Sequence, residues 1–178
     1  MTSISIARRF GLCALALSCS ALLLRTEVSC AIVTRGDDEL YRGSVDHARA
    51  LYRRAVRVDP RNESATDRLA FTSIFGHRRA RMRDGVNTAT KYLLQVGESV
   101  AIRIDRALLE EALGEFTAGA DDFVRLASLE RTAESFTIAG VAVLHANEPD
   151  HARALWKRAR RIDPTYRPAI IALQRHTQ

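Results

Sequence analysis

Few residues of this 178-residue chain have the type and spacing for chemistry. The five histidines are His47, His77, His145, His151 and His176, and the three cysteines, Cys13, Cys19 and Cys30, all fall within the first 30 residues. Beyond residue 30 a thiol nucleophile is therefore excluded, and no GxSxG elbow or phosphate-cradling GxxxxGK[ST] loop occurs. His47 and His151 each follow an aspartate in the same hexapeptide, DHARAL, but no third or fourth ligand accompanies them at zinc-site spacing. A histidine repeated at one place in two copies reads as copied surface, with Asp46 and Asp150 expected to cap their helices. Glu110 and Glu111 are adjacent on a helical segment and point to different faces, so they do not make a paired-carboxylate site. The expectation is a chain with no catalytic residues, no metal site and no cofactor.

The elements that carry these residues are repeated. VDHARALYRRAVRVDP at 45–60 and PDHARALWKRARRIDP at 149–164 are identical at 11 of 16 positions. Duplication on this scale marks a supersecondary unit too small to bury its own apolar face, stable only when stacked on its neighbours. In the first copy Ala48, Leu51, Tyr52, Ala55 and Val58 recur at three- and four-residue steps, as do Ala152, Leu155, Trp156, Ala159 and Ile162 in the last. Arg49, Arg53 and Arg57, and Arg153, Lys157 and Arg161, form second stripes expected to face water, their long stems covering apolar neighbours. Asp59-Pro60 and Asp163-Pro164 stop both helices, because proline lacks an amide proton and drives its predecessor out of the helical region.

From residue 37 onward the pattern is helical, with no alternating β-branched run. Asn62 or Ser64 is placed to cap a helix reaching Phe75, with Leu69, Ile74 and Phe75 as core contacts. The alanine that opens each four-then-three step recurs at Ala48, Ala89, Ala120 and Ala152, 41, 31 and 32 residues apart, followed in the two central units by Leu93 and Val96 and by Val124 and Ala127. The long first gap is occupied by HRRARMRDG, residues 77–85, read as a basic loop or frayed helix end. Second helices are expected near residues 44, 86, 119 and 149. The fold class is thus all-α: a helix-turn-helix repeat solenoid of about four helix pairs plus a terminal helix from Arg167 to Gln174.

These residues resemble the tetratricopeptide repeat family, whose unit is two antiparallel helices in about 34 residues. Ala48, Tyr52, Ala55 and Pro60, and again Ala152, Trp156, Ala159 and Pro164, fall at that family's spacing, with Phe136, Ala139 and Gly140 supplying a first helix to the last unit. In the first unit only Gly36, Leu40 and Gly43 follow the pattern, so a truncated or frayed first helix is expected there. The resemblance implies a superhelix whose first helices line a groove that receives a peptide or extended protein segment. Its lining would include Asp67, Phe71, Ile74 and Phe75 from one unit and Thr137, Val141, Leu144 and His145 from the last.

Residues 1–31 read as a secretory leader: a basic start with Arg8 and Arg9, an apolar run from Phe10 to Leu24, and a small-x-small pair at Ser29 and Ala31. Cleavage after Ala31 would leave a cysteine-free repeat domain over 32–178 with its charge reduced from +6 to +4. The chain would be periplasmic or secreted. An uncleaved leader anchoring the chain in a membrane is the alternative, whereas Cys19 and Cys30 fit a lipidation signal poorly. Basic residues concentrate at Arg78, Arg79, Arg81 and Arg83. With no aromatic side chains interleaved and a leader present, nucleic acid is not the expected partner. The expected function is an exported protein-interaction scaffold assisting assembly or trafficking of envelope or secreted proteins. The alternative is a membrane-tethered subunit whose basic faces meet anionic lipid or glycan.

Overall fold

The computed structural model describes residues 3–76 and 78–176, with backbone only for 3–19 and 21. Nine helices occur among the described residues, and no strand: α1 (Ser3–Tyr41), α2 (Val45–Val58), α3 (Glu63–Phe71), α4 (Arg79–Gln95), α5 (Val100–Leu113), α6 (Phe116–Glu130), α7 (Ala133–His145), α8 (Pro149–Ile162) and α9 (Arg167–Arg175). Read in chain order they make four helix pairs and a terminal helix, the all-α helical repeat that the sequence implies. The chain divides into two compact units, residues 1–68 and 69–178, with the boundary inside α3. No helix among the described residues is long and apolar enough to cross a membrane.

In the first unit, α2 turns Ala48, Tyr52 and Ala55 inward. The approach is close because α1 presents Gly36 to the ring: a Cβ there would come within 2.5 Å of Tyr52 Cε1. The Tyr52 hydroxyl donates to Asp37 Oδ1 at 2.7 Å, and Arg68 Nε donates to the same oxygen at 3.1 Å. Burial, with Asp37 adding to it, pushes the Tyr52 phenol well above its usual range. At the other end Ser29, fully buried, donates to the Ala55 carbonyl at 3.0 Å and accepts from Asn62 Nδ2 at 2.8 Å. The first helix of this pair is therefore neither truncated nor frayed. It runs without a break through Ser29 and the residues before it.

Asn62 also caps α3, its Oδ1 accepting from the Ala65 amide at 3.0 Å. That helix ends at Phe71 rather than Phe75. Thr72 and Ser73 both turn their hydroxyls back on the Leu69 carbonyl, at 3.3 and 2.7 Å, competing with the helical ladder. Leu69 is buried as expected, but Phe75 is exposed.

Asp46 and Asp150 do not cap. The residues before α2 and α8 are Ser44 and Glu148, neither of which makes a side-chain cap bond, and the two aspartates sit within the first turns. There their charge still favours the amino-terminal end of the helix dipole. Arg49 departs from its stripe as well, being only 4% exposed. Both Asp-Pro stops hold, with Asp59 and Asp163 in nearly the same extended conformation (φ −134°, ψ 98° and φ −133°, ψ 102°).

In the second unit a continuous core joins α5 to α9 through Ala107, Phe123, Phe136, Trp156 and Leu173. Phe136 and Trp156 are about 1% exposed, and each full burial of this kind contributes about 2–3 kcal/mol. A second cluster forms where Met82 and Val86 of α4 meet Ala70 and Leu109. This explains why residues 79–85 are not a loop: Met82, Gly85 and Val86 lie on one helical face and are buried, with Gly85 close against Ser73 and Leu109. Hence α4 starts seven residues before the expected position, and α6 starts at Phe116 rather than near 119.

Candidate functional site

The most densely charged cluster joins α5 and α6. Arg106 holds Asp122 through Nε and Nη2 at 2.7 Å each and donates to Thr90 Oγ1 at 3.1 Å. Arg103 donates to Asp122 Oδ1 at 2.5 Å and grips Glu98 at 2.6 and 2.8 Å. These bonds raise both arginines and lower Glu98 from their ordinary values. Glu110 lies one turn beyond Arg106, its Oε1 3.9 Å away and its buried Oε2 without a hydrogen-bond partner. Burial, reinforced by the charge of Asp122, pushes its carboxyl up to about 7. A perturbed acid in a cleft is a catalytic signal. Here the neighbouring carboxylate of Asp122 is held by two guanidinium groups from α5, so the cluster ties α5 to α6 as an interhelical clamp. The sequence carried its signal in Arg103, Arg106 and Glu110, which share one face of a helix.

The eight residues expected to line a groove fall in both units, and two of them face inward, Thr137 being buried and Ile74 packed against the Met82–Leu109 cluster. Asp67 belongs to the first, where its carboxylate is 3.7 Å from Arg68. In the second, Phe71 and Phe75 are both 42% exposed and meet edge to face with ring centroids 5.3 Å apart. Val141 is exposed, whereas Leu144 is half-buried against the core. His145 stands over Phe116 at 6.2 Å with Nδ1 3.4 Å from Glu111 Oε1. The basic residues before and within α4 are mostly engaged: Arg79 donates to the Leu113 carbonyl at 3.1 Å, Arg81 to the Phe75 carbonyl at 3.3 Å, and Arg83 pairs with Glu115 at 2.8 Å. Arg78 is exposed at the residue preceding α4. His77 lies outside the described residues.

Two further surfaces combine expected residues with ones that the sequence did not single out. On one, Ile104 of α5 and Ile138 of α7 line an apolar cavity of about 110 Å³ with Phe123, Leu126, Glu130 and Ser135. On the next turns Leu108 and Val141 are each 41% exposed. On the other, Lys157, Arg160 and Arg161 of α8 border a cleft of about 550 Å³ floored by Ala154 and Leu173. Among the described residues no group of three or more His, Cys, Asp or Glu is placed to hold a metal ion.

No family model and no curated protein matches the chain. Solved structures do match. The MamA protein aligns over 84% of this chain and 81% of its own length with a TM-score of 0.69 at 19% identity. YrrB, described as a TPR protein with an unusual peptide-binding site, aligns over 97% of this chain and 86% of its own, with a TM-score of 0.63 at 17% identity. The fold is that of the tetratricopeptide repeat. A tetratricopeptide repeat protein from Parabacteroides merdae gives a TM-score of 0.65 at 16% identity over 82% of this chain, which spans 57% of that protein. In repeat terms α1, α3, α5 and α7 are first helices and α2, α4, α6 and α8 second helices. The α5–α7 cavity thus opens between successive first helices, and the basic cleft lies between the last second helix and α9.

Proposed function

We propose that this chain is an exported, non-enzymatic scaffold that receives an extended protein segment bearing aliphatic side chains across α5 and α7. The observation that carries this reading is the cavity shared by Ile104 and Ile138, continued by exposed Leu108 and Val141. Four large aliphatic side chains left open to water on two successive first helices form the kind of apolar strip that marks a binding surface. The cavity between them would take one branched side chain. YrrB, of the same fold, has a peptide-binding site by its description, which supports a peptide as occupant.

Photocrosslinking amino acids placed at Ile104 and Ile138 in the source cells test this, with the same probe at Lys157 as control. A discrete adduct from the two isoleucine positions, lost when Val141→Glu is added while the circular dichroism stays helical, is the expected result. Equal labelling from Lys157, or an adduct indifferent to Val141→Glu, would overturn it.

A second reading rests on Lys157, Arg160 and Arg161, three exposed cations around one cleft. Facing a membrane, they would meet anionic headgroups. Flotation with vesicles of anionic and of neutral lipid separates the readings, because cleft binding requires the anionic vesicles and falls with added salt.

A further inference from the structure

The first repeat begins earlier than a leader ending at Ala31 would allow. Side chains upstream of residue 32 are bonded into it, three of them through oxygen or nitrogen. Ser29 joins the Ala55 carbonyl and the Asn62 amide, Thr26 donates to Asp59 Oδ2 at 3.0 Å, and Arg25 Nε donates to the Val58 carbonyl at 3.1 Å. Arg25, Thr26 and Ser29 thus fasten one face of α1 to the end of α2 and to the start of α3. Hydrolysis at Ala31–Ile32 would remove all three, leave the buried Asn62 without its oxygen acceptor and shorten the helix opposite α2 to ten residues.

A different bond satisfies both the leader pattern and the fold. We propose that the chain is processed by a signal peptidase between Ala21 and Leu22, water adding across that peptide bond to leave a carboxylate on Ala21 and a free amine on Leu22. This rests on the export reading above. Arg8 and Arg9 then form the basic start, Phe10–Leu17 supplies an eight-residue apolar run, and Ser18-Cys19-Ser20-Ala21 is a continuous small-residue segment with Cys19 and Ala21 in the small-x-small positions. The alternative site at Ser29 and Ala31 is separated from that apolar run by Arg25 and Glu27. Cutting after Ala21 keeps Arg25, Thr26 and Ser29 on the repeat, and the residues that would follow the cut, Leu22, Leu23 and Leu24, are 55–67% exposed.

The test is intact mass and amino-terminal sequencing of the protein recovered from its source cells, together with thermal melts of chains beginning at Leu22 and at Ile32. A native terminus at Leu22, with the Ile32 chain melting at least about 10 °C lower or not folding, is the expected result. A native terminus at Ile32 would overturn the proposal while leaving export standing. A chain retaining Met1 in the cytosol would sink the export reading and this proposal together, and an acylated terminus at Cys19 would replace the Ala21 site. Equal melting of the two chains would remove the structural argument.

Discussion

Trp156 occupies the space where a side chain on Gly140 would stand. A Cβ added to Gly140 would overlap the indole at Nε1, and that nitrogen donates to the Thr137 carbonyl at 3.2 Å, holding the ring in place. Gly36 and Tyr52 make the same approach 104 residues earlier, again with the ring fixed by a hydrogen bond. The glycine is thus as much a part of the repeat as the aromatic residue that gave it away in the sequence.

Gly140→Ala should therefore destabilise the protein although alanine is the better helix former. Helix propensity favours alanine by about 1 kcal/mol, whereas overfilling a packed site costs about 1–3 kcal/mol and the pinned indole cannot retreat freely. The expected outcome is a lower melting temperature with unchanged helical content, by circular dichroism. Gly97→Ala, at a glycine with open space around it, tests backbone conformation alone, since its φ is 143°.

Asp122 is the centre of the α5–α6 clamp, and its loss leaves two guanidinium groups with less than a fifth of their surface in water. Asp122→Ala should cost about 3 kcal/mol, the range for breaking a largely buried ion pair from one side. Urea unfolding measures it. The double variant Asp122→Ala with Arg106→Met should recover part of the loss, because it removes a stranded charge.

The repeat periodicity was legible because small residues and one aromatic side chain recur at the same steps in α2 and α8 and both of these helices end in Asp-Pro. What misled was charge. Arg79, Arg81 and Arg83 made the start of α4 look like a loop, although Met82, Gly85 and Val86 form a buried face between them. Arg49 looked like one member of a solvated stripe, yet its position on α2 is buried. Glu110 read as half of an adjacent pair. Its environment is set by Asp122 and Arg106, and the Asp122 contact crosses between helices that only the fold brings together. Phe75 was assignable to a groove or to the core, and its place beyond the early end of α3, 42% exposed, takes it out of the core.

Glu110 makes stability depend on pH in a defined direction. Its carboxyl is raised from 4.5 to about 7 by burial and by Asp122, with Glu115 and Asp121 adding to the rise and Arg106 opposing it. Between those values the folded chain holds a proton that the unfolded chain has released, so this group's contribution falls as pH rises from about 4.5 to about 7 and is flat above. The change is on the order of 3 kcal/mol. Glu110→Gln should remove the slope and be more stable than the parent at pH 8, which urea titrations at pH 5, 6, 7 and 8 would show. A parent curve unchanged by the substitution would place the titration elsewhere.

Asn62 ties the two ends of the first unit's hydrogen bonding together, capping α3 through its oxygen and holding Ser29 through its nitrogen. Asn62→Ala removes a cap worth about 1 kcal/mol and strands one lone pair of the buried Ser29 hydroxyl, for a total of about 2 kcal/mol. Asn62→Asp keeps the cap oxygen but can no longer donate to Ser29, so it separates the two contributions. If Ser29 matters only as filler, Asn62→Asp will match the parent in urea unfolding. If the hydrogen bond to α1 holds this helix to the repeat, Asn62→Asp will lose about half of what Asn62→Ala loses, and adding Ser29→Ala will cost less than it does in the parent.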